Sequence, residues 1–209
     1  MRKVLITVIT ILIMIQLCAC TSDKVNNSSE SPKNLNSKTD IENFNKDSEG
    51  KHTNLKVFEQ NGFMVLDEQS FWVNFKNWGK VRFISGYYQD NGKRVLKFYL
   101  IDEKQDILYQ FSDLLDNTSW NLFDVRAISF KDVNRDGLDD IIVIAEYATG
   151  AGPSGATPFP IAGIYFQKGK EFVRVQKLNE EITDFDSIDM ILKFVEGKDI
   201  KLNNSTFAH

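Results

Sequence analysis

The run Ile141-Ile142-Val143-Ile144-Ala145, apolar at every position, constrains this chain more than any other feature. Successive strand side chains point to opposite faces. A segment of this kind therefore cannot sit in a sheet with one wet face. It predicts a strand from Asp140 to Tyr147, central in its sheet and covered on both sides. Something must supply the second cover. Ile188, Ile191, Leu192 and Val195 fall at helical spacing, which predicts a C-terminal helix lying on one face.

The rest of residues 56–209 reads as short β-branched and aromatic runs between turn signals. Phe71, Val73 and Phe75 alternate, so one face of that strand is apolar. Val81 to Tyr88 follows, then Asn91-Gly92, the strongest short hairpin signal. Val95 to Ile101 returns. Asp102 to Asp106 turns again into Ile107 to Phe111. Val125 to Phe130 is a further strand. Ile164 to Gln167 and Glu171 to Val175 form a hairpin about Lys168-Gly169-Lys170. The expectation is a mainly β (α+β) domain: an antiparallel meander with a hairpin loop and a C-terminal helix.

The first residues have a different character. Arg2 and Lys3 precede Val4 to Leu17, an uncharged aliphatic stretch too short for a comfortable membrane span and of signal-peptide length. Leu17-Cys18-Ala19-Cys20 resembles the lipobox of bacterial lipoproteins. That resemblance implies cleavage after Ala19, with 1–19 as the signal peptide, and lipidation of Cys20 by palmitate-type acyl chains. The implied location is the extracytoplasmic side of the cell membrane. Losing Arg2 and Lys3 takes the formal charge from −4 to −6, so attachment must come from acyl chains, not from attraction to anionic lipid. Residues 20–55 are rich in Asn, Ser, Lys and Thr with no apolar period, and read as a disordered tether.

One loop carries a mechanism. Asp132-Val133-Asn134-Arg135-Asp136-Gly137-Leu138-Asp139-Asp140 fits D-x-N-x-D-G-x-x-D. Oxygen side chains at Asp132, Asn134 and Asp136 converge when the loop curls, and Gly137 allows the sharp turn. Leu138 offers its carbonyl and Asp140 closes the shell. Hard oxygen donors in this number suit Ca²⁺. A helix–loop–helix calcium site wants Glu at the twelfth position, and Val143 stands there in a β run. Ile128 to Ala145, followed by Gly163-Ile164-Tyr165-Phe166, resembles instead the FG-GAP or VCBS-type repeat of integrin-like β-propellers, in which strands flank a DxNxDG loop. Only one copy is present. A propeller needs about four or more blades, so this chain cannot close one alone.

Other chemistries fall away. The charge balance is wrong for a nucleic-acid binder. Gly150 to Gly155 has phosphate-loop spacing, but Ala156 stands where Lys is required, so no nucleotide is expected. The two histidines, His52 and His209, lie in the tether and at the last residue. Neither a Ser-His system nor a zinc site can be built from them. Glu146 interrupts an apolar strand just before the 148–160 loop and is the best carboxylate for a glycan hydrolase. Trp72, Asn74, Lys76 and Trp78 alternate opposite the Phe71-Val73-Phe75 face, a pattern that can stack on a sugar ring or an envelope protein. The leading expectation is a calcium-stabilised, non-catalytic binding or interaction module. Its rivals are a carboxylate-based glycan hydrolase at the envelope and a structural envelope protein that binds only its own kind.

Overall fold

The computed structural model describes residues 53–115, 119–150, 152 and 155–202. The signal segment, Cys20 and nearly all of the predicted tether lie outside these residues. The fold begins slightly before the predicted boundary of 55. Asn54 forms a β-bridge with Asp106, and Leu55 is buried. Asn54 also caps helix α1 (Leu55–Gln60) by accepting from Lys56 N–H.

Among the described residues nine strands follow: β1 (Met64–Val65), β2 (Phe71–Phe75), β3 (Gly79–Asp90), β4 (Lys93–Ile101), β5 (Ile107–Gln110), β6 (Asn121–Lys131), β7 (Asp140–Ala148), β8 (Phe159–Lys168) and β9 (Glu171–Val173). Helices α2 (Gln176–Ile182) and α3 (Ile188–Val195) close the described chain. All strand pairs are antiparallel. Strands β1 to β5 form one sheet, in which β1 and β2 both pair with the long β3, and β6-β7-β8-β9 form the other. Apart from β1, which skips β2 to pair with β3, the paired strands within each sheet are consecutive in the chain, as the turn signals predicted. Asn91 and Gly92 both take positive φ, 49° and 78°, joining Asp90 to Lys93 in the tight turn that their sequence favours.

The two sheets face one another. Phe75, Val81, Phe83, Phe98 and Leu100 from the first pack on Val125, Ile141, Val143, Tyr165 and Phe172 from the second. Phe130 on β6 makes edge contacts with Phe71, Phe75 and Phe83 at 5.7–6.0 Å. The alternation of β7 resolves the demand made by its sequence. Ile141, Val143, Ala145 and Tyr147 enter this shared core, while Ile142 and Ile144 point the other way into α2 and α3, against Leu178, Ile182, Ile191 and Val195. The outer face of the first sheet, with Ile84, Tyr99 and Ile101, is covered by Leu55 and Phe58 of α1 and by Phe63. The result is four layers: helix, sheet, sheet, helices.

Several expectations were corrected in detail. Strand β6 starts at Asn121, not Val125, because two register shifts, at Leu122/Asp124 and Val125/Ala127, break its alternation. Strand β8 starts at Phe159, not Ile164. Pro160 lies within it, opposite Glu146, where β8 has a strand on one side only. The predicted 148–160 loop is therefore shorter, 149–158, and connects two neighbouring antiparallel strands. Helices α1 and α2 had no counterpart in the predicted elements.

Candidate metal centre

The loop 132–139 joins the ends of β6 and β7, so two paired strands hold its feet. Arg135 and Gly137 both adopt positive φ, 63° and 81°. This is the double left-handed turn that glycine at 137 makes accessible. The curl brings the predicted oxygens together. Asp136 N–H donates to Asp132 Oδ1 at 3.0 Å and lies 3.2 Å from Asn134 Oδ1. Gly137 N–H donates to Asp132 Oδ2 at 2.9 Å, and Leu138 N–H to Asp136 Oδ1 at 2.8 Å. Asn134 Nδ2 donates to Asp136 Oδ2 at 3.0 Å. Asp132, Asn134 and Asp136 thus converge on one set of loop N–H groups, with Asp132 and Asp136 exposed.

Asp140 has another occupation. It is fully buried. Its Oδ2 accepts from Val133 N–H and its Oδ1 from Gln167 N–H on β8, both at 2.9 Å. It ties the loop to the strand beyond. Burial pushes its carboxyl up to about 7, against the lowering effect of those hydrogen bonds. The donor chemistry of Asp132, Asn134 and Asp136 fits a hard cation. Among the described residues, however, no three Asp, Glu, His or Cys side chains converge on one point as a metal cage. Ca²⁺ would draw on the side-chain oxygens of Asp132, Asn134 and Asp136 and the Leu138 carbonyl, with Asp140 bracing the loop from within. Lys76, in the β2–β3 turn, reaches the same loop: its Nζ lies 3.9 Å from where a Cβ on Gly137 would stand. The sequence connected neither Gln167 nor Lys76 with this loop, because both are distant along the chain; Lys76 was read only as part of the polar face of β2. An open groove of about 510 Å³ runs from Asp132, Asn134 and Arg135 to Lys193 in the last turn of α3 and to Glu196 and Asp199 beyond its end.

The other candidates separate. Glu146 is held by Arg126 at 2.9 Å across β6 and β7, an ion pair that accounts for a carboxylate in this strand. Trp72 and Trp78 do not share a face. Trp72 is half exposed on the outer face of the first sheet, with Lys80 Nζ 5.0 Å from its ring. The strand ends at Phe75, and the turn swings Trp78 against the core, 5.6 Å from Tyr109. Across the 149–158 connection, Gly150 N–H donates to Gly155 O at 2.9 Å. Among the described residues no helix is long and apolar enough to cross a membrane. Comparison with protein-family models, curated proteins and solved structures gives no match for this chain.

Proposed function

We propose that this chain is a lipid-anchored, extracytoplasmic bacterial protein whose β domain is stapled by Ca²⁺ at the 132–140 loop and acts as a non-catalytic binding module. The observation that carries the calcium reading is the gathering of Asp132, Asn134 and Asp136 oxygens on the successive Asp136, Gly137 and Leu138 N–H groups, in a loop braced at both ends by paired strands. A cation there would replace the mutual repulsion of carboxylates with attraction, and the rigid hairpin limits the entropy lost on binding. Anchoring at Cys20 rests on the lipobox pattern alone.

The test is calcium titration followed by thermal unfolding, with and without chelator. A ligand that binds only the folded state raises its stability by RT ln(1 + [L]/Kd). Extracellular calcium modules bind at about 10⁻⁴ to 10⁻³ M. At a concentration of Ca²⁺ one hundred times Kd the gain is about 2.7 kcal/mol. The expected result is a saturable rise in Tm that Asp136→Ala abolishes. An identical Tm in Ca²⁺ and chelator would reduce the loop to a tight turn.

A further inference from the structure

Sheet edges are templates for pairing, and natural sheets blunt them with bulges, charges, short strands or covering segments. Most edges here are treated in this way. On β5, Ile107 N–H donates to Thr53 O at 2.8 Å, so the incoming chain covers it. On β8, Ala162 N–H donates to Thr183 O and Ile164 N–H to Asn179 Oδ1, so α2 and the residue after it cover that edge. Strand β6 carries two bulges and the charges of Asp124, Arg126 and Lys131. Strands β1 and β9 have only two and three residues.

Strand β2 is the exception. Phe71-Trp72-Val73-Asn74-Phe75 has no charge, proline or bulge, and its register with β3 is unbroken from Phe71↔Phe83 to Phe75↔Gly79. Among the described residues nothing hydrogen-bonds to its other edge. Its outward residue Trp72 is half exposed. We infer that β2 is a docking edge for a second copy of this chain, paired antiparallel and centred on Val73, so that the first sheet continues across a two-fold axis.

Three observations favour a second copy over a foreign strand. Centred on Val73, the segment is self-complementary by face: Phe71 meets Phe75 of the second copy, Trp72 meets Asn74, and Val73 meets itself, with inward residues on inward and outward on outward. The strand is uncharged, so laying it on itself brings no like charges together. Its flanks are of opposite sign: Glu68 before it, beside Asp67 that Arg82 of the same chain already holds at 2.9 Å, and Lys76 after it. Antiparallel pairing therefore sets the acidic flank of each copy beside the basic flank of the other.

The experiment is sedimentation of the full chain in detergent, with micelles in excess over protein so that two chains do not share one by chance. The expected species has twice the chain mass. Trp72→Lys/Asn74→Lys places four cations across the proposed seam at exposed positions and is expected to raise the dissociation midpoint at least about tenfold. A cross-link reads the register directly. Chains carrying Trp72→Cys and Asn74→Cys, when mixed, would hold the two cysteines at a cross-strand Cα separation of about 4.5–5.5 Å, within disulfide reach. The mixture is expected to cross-link faster than either chain alone, with the native chain as the control for Cys18 and Cys20. A single-chain mass for the native protein overturns the proposal. So does a double-lysine variant that stays dimeric, because the contact would then lie elsewhere. If the double-lysine variant fails to fold, an absent mixed disulfide overturns it equally.

Discussion

Replacing Asp140 by Ala removes a buried side chain that serves two backbone donors, Val133 N–H and Gln167 N–H. A buried donor left unmet costs about 1–3 kcal/mol, so the pair predicts a loss of about 2–6 kcal/mol. For a chain of this size Tm moves roughly 2–4 °C per kcal/mol, giving a central expectation of about 10 °C. Asp140→Asn keeps one oxygen and turns an NH₂ toward the other donor, so its loss should be about half as large. The two variants also differ in pH dependence. The folded value of about 7 lies above the unfolded carboxylate value, so the folded state binds the extra proton between them. The stability associated with that proton is full below about pH 4 and is lost as pH rises through 7. In chelator, then, the native protein should weaken from pH 5 toward pH 8, while Asp140→Asn, with no proton to release, should show a flatter profile. Thermal unfolding followed by circular dichroism at several pH values reads both effects. A fall of less than about 2 °C for Asp140→Ala, equivalent to under about 1 kcal/mol, would refute the bracing role. A pH profile for Asp140→Asn parallel to the native one would refute the titration argument.

Two further perturbations are sharp. In Gly86→Ala the new Cβ would collide with the edge of the Phe63 ring, at its Cζ and Cε2, and lie 2.6 Å from the Met64 carbonyl oxygen. It should cost about 1–3 kcal/mol as overpacking, seen as a lower denaturation midpoint at unchanged slope. Cys20→Ser should abolish incorporation of labelled palmitate into the expressed chain and release it from the membrane fraction; retained label would place the acyl chain elsewhere.

What the sequence disclosed follows from the range of the physics involved. Strands β2, β3 and β4 were legible because alternation and Asn91-Gly92 are local signals, and α3 because Ile188, Ile191, Leu192 and Val195 mark one helical stripe. The need for two covers on β7 was legible from five residues. The division into two facing sheets was not, because a strand's own pattern does not name its partner across a core. Strand β6 was read short since bulges interrupt period two, and β8 since Pro160 and Gly163 look like turn residues. Helix α2 offers only Leu178 and Ile182, one turn of spacing. At the loop, the spacing of Asp132, Asn134 and Asp136 is a local signal, and their oxygens accept from successive loop N–H groups. The tie from Asp140 to Gln167 was hidden because those residues lie 27 apart along the chain. The pair Arg126–Glu146 was hidden for the same reason.

Strand β7 is a wall common to two hydrophobic interiors, and that has a kinetic consequence. If α2 and α3 peel away, Ile142 and Ile144 are wetted; if the facing sheet departs, Ile141 and Val143 are. Either partial opening strips one side of the same strand and weakens its hold on the other, so neither interior is cheaply lost alone. Backbone amides of β7 should therefore exchange with deuterated solvent only through whole-molecule unfolding. The slowest exchange rates in the protein then become a direct gauge of its global stability.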